Sequence, residues 1–207
     1  MRKKTIARSI KTSDVIPCQD MRDAGLTPKM IAGGVNHTYK ILDIIDNTLV
    51  SQKAERLPKL LVEQLAGVSL IFGSIISSGI ENSSSGTYKK NAPNKYPDLL
   101  ACRKSAKGVE IKVALETNKP KGHIPKKGYY LTFRYVLGDI HGNYVKGKEN
   151  RKDVIWIYEI RFGYLQKKDF NLSSTAGDSG KTAVINATGM QKLNVIYENT
   201  KFSPYEN

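Results

Sequence analysis

The spacing of apolar residues changes once along this chain, from a helical period before residue 82 to a period of two after residue 97. Thr27 and Pro28 supply an N-cap and a first-turn proline, which predicts a helix over 28–50. A second helix is predicted from Pro58 to Ser78 or Glu81, with apolar residues over more than half of its circumference. Helices followed by strands indicate an α/β (α+β) fold.

The second half of the chain predicts a sheet. Alternating apolar residues favour strands over 98–103, 108–115, 129–137, 154–165 and 182–186, with 193–197 as a further candidate. Residues 82–94 should form a loop with at most a short strand near Tyr88, and 139–153 a long exposed loop between two antiparallel strands. The expected architecture is a central mixed, largely antiparallel sheet flanked by helices.

Strand 154–165 carries two kinds of side chain. Trp156, Tyr158 and Phe162 are predicted to share one face and to lie in the core. Glu159 and Arg161 are predicted on the other face, where they either pair with each other or contact base edges.

The charge of the chain is strongly positive. Its 33 Lys and Arg against 19 Asp and Glu give a net charge of +14, which favours a polyanionic partner such as nucleic acid, with a membrane surface as the rival. Residues 89–152 hold 16 Lys and Arg against 5 Asp and Glu. The first 25 residues, with Arg2, Lys3, Lys4, Arg8 and Lys11, are expected to form either a solvated tail or an arm that contacts DNA.

The number and spacing of the cysteines and the hydropathy of the chain predict where in the cell the protein is located. Cys18 and Cys102 have neither zinc-site spacing nor the number for a disulfide framework, which favours a reducing, cytoplasmic setting. The basic N-terminus is followed by no apolar signal region. The longest uncharged apolar stretch, 64–80, is slightly shorter than a membrane span and predicts a buried core helix instead. No membrane partner is expected.

Two acids and a lysine stand close together in the strand region. Pro97-Asp98 is the only Pro-Asp pair of the chain, and Glu110-Ile111-Lys112 is its only acid-x-lysine tripeptide. Because side chains alternate along a strand, Glu110 and Lys112 point to the same face. A turn at 105–108 would bring Asp98 near Glu110. Two convergent carboxylates suit Mg²⁺, and a neighbouring ammonium can orient an attacking water and offset charge in a phosphoryl transition state.

Pro97-Asp98 followed by Glu110-Ile111-Lys112 resembles the signature of the PD-(D/E)XK nuclease superfamily, to which many type II restriction endonucleases belong. The resemblance covers the central strand pair. It implies a restriction-endonuclease-like core with Asp98 and Glu110 as Mg²⁺ ligands, Lys112 as the catalytic lysine, and cleavage to 5′-phosphate and 3′-hydroxyl ends. Such enzymes often add a helix glutamate, for which Glu81 is preferred here over Glu63 because it is closer in sequence to Asp98.

From this resemblance we expect a type II restriction enzyme that acts on double-stranded DNA as a homodimer, since two-fold symmetry matches a palindromic site. Residues 1–56 would form a basic arm and helical segment and residues 57–207 the nuclease core, in one compact domain overall.

The chain departs from the family pattern after the second motif. Such nucleases usually have a crossover helix there, whereas 117–128 holds two prolines and two glycines and is predicted to be a loop. Its basic residues are expected to contact the DNA backbone; they are Lys119, Lys121, His123, Lys126 and Lys127.

Other functions remain as alternatives. A non-catalytic nucleic-acid-binding protein and a repair or junction-specific nuclease of the same superfamily both fit the charge. Residues 175–182 end like a phosphate-binding P-loop, but Thr175 replaces the first glycine and a strand follows, so no nucleotide cofactor is expected. His37, His123 and His141 lack metal-ligand spacing, which leaves a histidine-based nuclease as a remote alternative.

Overall fold

The computed structural model describes residues 5–122, 124–173 and 182–205. Its α-helices are α1 (Gln19–Ala24), α2 (Pro28–Ser51), α3 (Leu57–Leu60), α4 (Leu65–Ser83) and α5 (Ala187–Lys192). Its strands are β1 (Tyr88–Lys90), β2 (Leu99–Ala101), β3 (Val109–Leu115), β4 (Lys121–Gly122), β5 (Gly128–Gly138), β6 (Val154–Leu165), β7 (Phe170–Ser173), β8 (Thr182–Ile185) and β9 (Asn194–Glu198). Helices and a mixed sheet confirm the predicted α+β fold.

Six strands form the central sheet in the order β1-β2-β3-β5-β6-β9. Only β3 and β5 pair in parallel; the other neighbours are antiparallel. The sheet is therefore mixed and largely antiparallel, as predicted. The described residues between the two parallel strands, 116–122 and 124–127, contain no helix, and they contribute β4 to a second, three-stranded sheet with the order β4-β8-β7.

The two sides of the central sheet are covered differently. Leu131, Phe133 and Tyr135 of β5 point towards α2 and α4 and belong to the main core. Tyr130 points the other way and packs with Ile185 at the end of β8 and with residues of α5 and of the turn that follows it. The small sheet and α5 thus cover the face that also carries Glu110 and Lys112, because these residues alternate with the core residues of β3.

Helix α2 confirms the prediction for 28–50. The Thr27 side chain accepts a hydrogen bond from the Met30 amide, and Pro28 occupies the first turn. α2 packs closely against α4 where glycines face each other, since a Cβ atom at Gly79 would lie 2.9 Å from the Gly34 carbonyl oxygen. Larger residues at these glycines would force the two helices apart.

The predicted helix from Pro58 is broken. α3 ends at Leu60, a 3₁₀ turn covers Val62–Gln64, and α4 begins at Leu65. Gln64 has φ −136° and ψ 55°, which is not helical. The break turns Leu61 back towards α4, where its side chain reaches Gly67 and joins the edge of the core. A single straight helix would point this leucine elsewhere.

Residues 62–83 are long and apolar enough, by length and composition, to cross a membrane, so the stretch is longer than the sequence suggested. In the fold, however, Val68, Phe72, Ile76 and Ile80 are fully buried, and Phe72 packs on Phe133 at a centroid distance of 5.8 Å. Only about a third of the apolar window is buried, however, and Leu70 is 76% exposed, so the helix is less covered than the prediction of a buried core helix expected. A single helix of this kind is weak evidence for a membrane span.

The segment before α2 packs against the fold from residue 5 onwards. Ile10, Val15 and Met21 belong to the main core. The buried Arg8 guanidinium donates hydrogen bonds to the Ile155 carbonyl and to Asp43. This part of the predicted arm is therefore a fixed part of the domain surface.

The side chains of β6 do not all point to the faces of the sheet that the sequence predicted. A bulge opposite Arg134 and Tyr135 leaves Tyr158 as an extra residue. Phe162 consequently faces the helices, whereas Trp156 and Tyr158 face the other side in a separate cluster. The prediction that these three aromatic residues share one face was wrong, because alternation restarts after a bulge, but all three are buried as expected.

Candidate active site

Asp98 and Glu110 lie side by side on two neighbouring strands. Asp98 directly precedes β2, and Leu99 of β2 is paired with Val109 of β3. The Asp98 backbone amide donates a hydrogen bond to Glu110 Oε2 at 3.2 Å, and the Ile111 amide donates to Asp98 Oδ2 at 2.7 Å. These backbone contacts hold both carboxylates in place, so the turn expected at 105–108 does bring the two motifs together.

Lys112 completes the group. Its Nζ donates a hydrogen bond to Glu110 Oε1 at 2.5 Å, and the two side chains are only 21% and 12% exposed. Strand β4 passes directly over the lysine, since a Cβ atom at Gly122 would lie 3.1 Å from Lys112 Cε. A side chain at position 122 would therefore push against the ammonium group, and glycine leaves it room.

The local charges act on Glu110. Burial raises the pKa of the Glu110 carboxyl above its ordinary value, the neighbouring Asp98 carboxylate raises it further, and Lys112 opposes both effects. A partly desolvated carboxylate next to a second one is stabilised by an added cation.

The donor set fits Mg²⁺. In the residues that the structure describes, no three His, Cys, Asp or Glu side chains form a cluster, so the candidate site supplies two carboxylates. Mg²⁺ is commonly bound by one or two carboxylates together with waters and substrate phosphate oxygens. Among the described residues, Asp98 accepts a hydrogen bond from the backbone through Oδ2 and none through Oδ1. Asp98 and Glu110 would hold the ion.

Two tyrosines beside the carboxylates were not predicted from the sequence. The Tyr96 hydroxyl donates to the Lys127 carbonyl at 2.8 Å, and burial together with the Glu110 charge raises the pKa of Tyr96 to about 12. Tyr130 is the β5 partner of Glu110, and burial likewise raises its pKa. Both hydroxyls are protonated at neutral pH. The position of Tyr96 directly before Pro97-Asp98 could have indicated in the sequence that it lies near the carboxylates. The position of Tyr130 beside Glu110 is known only from the strand register.

The polar face continues across the sheet. Lys112 is paired with Thr132 of β5, and Thr132 with Arg161 of β6. Glu159 accepts a hydrogen bond from Arg161 at 2.7 Å and lies 3.4 Å from the Arg134 guanidinium. Glu159 and Arg161 therefore pair with each other, which was one of the two alternatives for them.

The helix glutamates are not brought to this site by any contact in the described parts of the chain. Glu81 lies on α4, and α4 packs on the opposite face of the sheet, where Gly73 approaches Val113. Glu63 lies in the exposed turn before α4. No hydrogen bond or ion pair in the described ranges joins either glutamate to Asp98, Glu110 or Lys112.

The basic residues of 117–128 that the structure describes are mostly exposed. Lys119, Lys121 and Lys127 are exposed. Lys126 is half-buried, with Nζ 4.5 Å from the centre of the Tyr96 ring. His123 lies outside the described residues, as do residues 175–181 of the P-loop-like sequence.

We expect the replacement Glu110→Gln to stabilise the protein more at pH 8 than at pH 5. Because the pKa of Glu110 is raised, folding stability is lost as the pH rises through that pKa and the buried carboxyl ionises. A glutamine does not ionise, so the variant avoids this loss. Urea unfolding of both proteins at the two pH values measures the effect, with Glu63→Gln at an exposed position as the control. A stability difference that is the same at both pH values would contradict the burial of this charge.

Comparison of the chain with protein-family models, with curated proteins and with solved structures gave no match.

Proposed function

We propose that this protein is a Mg²⁺-dependent endodeoxyribonuclease of the type II restriction class. The observation that carries the proposal is the contact geometry of Asp98, Glu110 and Lys112, with Lys112 Nζ 2.5 Å from Glu110 Oε1 and the Asp98 amide 3.2 Å from Glu110 Oε2. Two carboxylates and one lysine on a rigid sheet have the residue types and the order of the PD-(D/E)XK signature. A solely structural ion pair would not need the second carboxylate.

Each residue has a chemical role in phosphodiester hydrolysis. Asp98 and Glu110 would hold the ion, which when bound neutralises charge on the phosphate oxygens. The Lys112 ammonium lies beside them, so it can orient a water for in-line attack and stabilise the negative charge that develops on the phosphate. The hydrogen bonds from the Asp98 and Ile111 amides keep the carboxylates in this arrangement during the reaction. The products would carry 5′-phosphate and 3′-hydroxyl ends.

The surface charge supports DNA as the substrate. The net charge of +14 attracts a polyanion. The exposed Lys121 precedes Gly122, which lies over Lys112, and the backbone carbonyl of the exposed Lys127 accepts a hydrogen bond from Tyr96. A palindromic duplex site would require a homodimer, which we include in the proposal. Free Cys18 and Cys102 suit a reducing, cytoplasmic location.

Digestion of supercoiled plasmid and phage DNA tests this function. We expect the purified protein to cut DNA in buffer with Mg²⁺ and not in buffer with EDTA, and Asp98→Asn to be inactive although it still binds DNA. Discrete bands would indicate a restriction enzyme, and a requirement for branched DNA would indicate a repair nuclease. Intact DNA under conditions in which the protein binds it would leave a non-catalytic DNA-binding protein.

The lysines around the site should contribute through phosphate contacts. We expect Lys121→Gln and Lys127→Gln each to weaken duplex binding and to reduce the slope of log affinity against log salt concentration by about 0.9. Fluorescence anisotropy with a labelled duplex at several salt concentrations measures this slope. Lys59→Gln, at an exposed residue of α3, is the matched control and should leave the slope unchanged. Unchanged slopes in both site variants would place the DNA elsewhere.

A further inference from the structure

An open groove of about 510 Å³ lies directly beside Asp98. Pro97, the residue before Asp98, forms part of its wall, together with Tyr96, Leu100, Tyr129 and Tyr164. The volume is within the range of about 300–1,000 Å³ that is usual for small-molecule sites. Asp98, Glu110 and Lys112 do not line the groove, and its Tyr129 ring packs on the helix side of the sheet, against Phe162.

The aromatic side chains that line the groove are held in position by contacts with their neighbours. The Tyr129 ring stacks on Phe162 at a centroid distance of 5.6 Å and contacts the edge of Tyr164 at 5.2 Å. Tyr164 remains 41% exposed, and the Tyr96 hydroxyl is bonded to the Lys127 carbonyl. Rings that are already held in position lose little conformational entropy when a flat group stacks on them.

The charge around the groove selects the ligand. Its ten lining residues include Lys107 and Lys127, both exposed, and no acidic residue. Asp20 and Asp23 lie close by, because burial and then the charges of these two carboxylates raise the pKa of Tyr129. Apolar rings between lysines match a ligand that is flat and apolar on its faces and linked to phosphates. Nucleotides in a strand have these properties, and single-stranded nucleic acids are bound by such combinations of stacking and positive charge.

We infer that this groove binds an unpaired nucleobase of a DNA strand. The inference rests on the proposed function for the choice of DNA as the ligand. A base inside a duplex cannot stack on a protein side chain, so the base is either turned out of the helix or belongs to a single-stranded part of the substrate. Tyr164 would stack on it, and Lys107 and Lys127 would contact the flanking phosphates.

A comparison of two strands in EDTA, where no cleavage occurs, tests this. One is a labelled oligothymidylate of about 12 nucleotides, and the other is a deoxyribose-phosphate strand of equal length without bases. We expect the wild-type protein to bind the strand with bases about tenfold more tightly. Tyr164→Ala should lose this preference and bind the strand without bases as before, whereas Tyr164→Phe should retain it. Leu172→Ala, at an exposed apolar residue of β7, is the control.

Two results would overturn the inference: equal binding of both strands by the wild-type protein, or an unchanged preference in Tyr164→Ala. The plasmid digestion separates this outcome from failure of the proposed function. Cleavage without base preference would reject only the groove, and base preference without cleavage in Mg²⁺ would reject only the nuclease.

Discussion

Replacement of Lys112 by methionine is expected to slow DNA cleavage by about 10²–10³-fold while the protein remains folded. The ammonium is the only cation bonded to Glu110 in the described chain, and in the proposed reaction it both orients the water and stabilises the developing charge. Methionine keeps most of the length of the side chain and removes the charge. Single-turnover cleavage of a labelled duplex at saturating protein measures the rate separately from binding.

Loss of Lys112 also removes the charge that opposes the rise in the pKa of Glu110. If the change in the pKa of Glu110 were the only effect of the substitution, the cleavage rate of the variant would return to the wild-type rate at higher pH, where Glu110 is ionised. We expect the rate defect to persist from pH 6 to pH 9, because the missing group acts on the phosphate. Lys59→Met, at an exposed residue of α3, is the matched control. Full activity in the Lys112 variant, or full recovery at high pH, would remove the lysine from the mechanism.

Truncation of Phe72 to alanine is expected to destabilise the fold by about 3–5 kcal/mol. Phe72 is fully buried in α4, and its ring packs between those of Phe133 and Tyr135 at 5.8 Å and 5.9 Å. These rings join the helix layer to the central sheet. For a chain of this length, the loss corresponds to a fall of about 6–20 °C in the melting temperature. Urea unfolding followed by circular dichroism measures the free energy.

Leu70 provides the control for this truncation. It lies on the same helix but is 76% exposed, so Leu70→Ala should change the free energy of unfolding by less than about 0.5 kcal/mol. Equal effects of the two substitutions would show that α4 does not pack on the sheet through Phe72.

The meeting of the two motifs could be predicted from the sequence. Asp98 and Glu110 are separated by a short turn between two apolar strands, so antiparallel pairing brings them together, as observed through the Asp98 amide and Glu110 Oε2. The same alternation places Lys112 next to Glu110. These predictions depend only on neighbouring strands and on the period of two. The regular alternation of side chains along two neighbouring strands was sufficient to predict both contacts.

Features that depend on distant residues were not predictable. The bulge in β6 reverses the alternation near Tyr158 without a signature in the sequence. β4 covers Lys112 because it pairs with β8, a strand 60 residues further along the chain. Tyr130 comes to lie beside Glu110 only through the parallel pairing of β3 and β5. Each of these requires knowledge of strand order.

The break before α4 also depends on a contact that the local sequence does not indicate. Residues 58–81 have the apolar pattern of one helix, but Gln64 is not helical and Leu61 packs back towards Gly67 of α4. In addition, α4 lies on the face of the sheet that is opposite to the carboxylates. A glutamate of this helix is therefore not part of the contact network of Asp98 and Glu110, and the proposed reaction depends on two acids and one lysine.

The most direct test of the central claim is to locate a divalent ion in crystals of the protein grown with Mn²⁺ and a duplex oligonucleotide, by anomalous scattering. We predict a peak bonded to oxygens of both Asp98 and Glu110, with Lys112 Nζ beside the phosphate oxygen that completes the coordination. A peak at another position, or no peak between these carboxylates while the duplex is bound over the site, would contradict the assignment of Asp98, Glu110 and Lys112 as a nuclease centre.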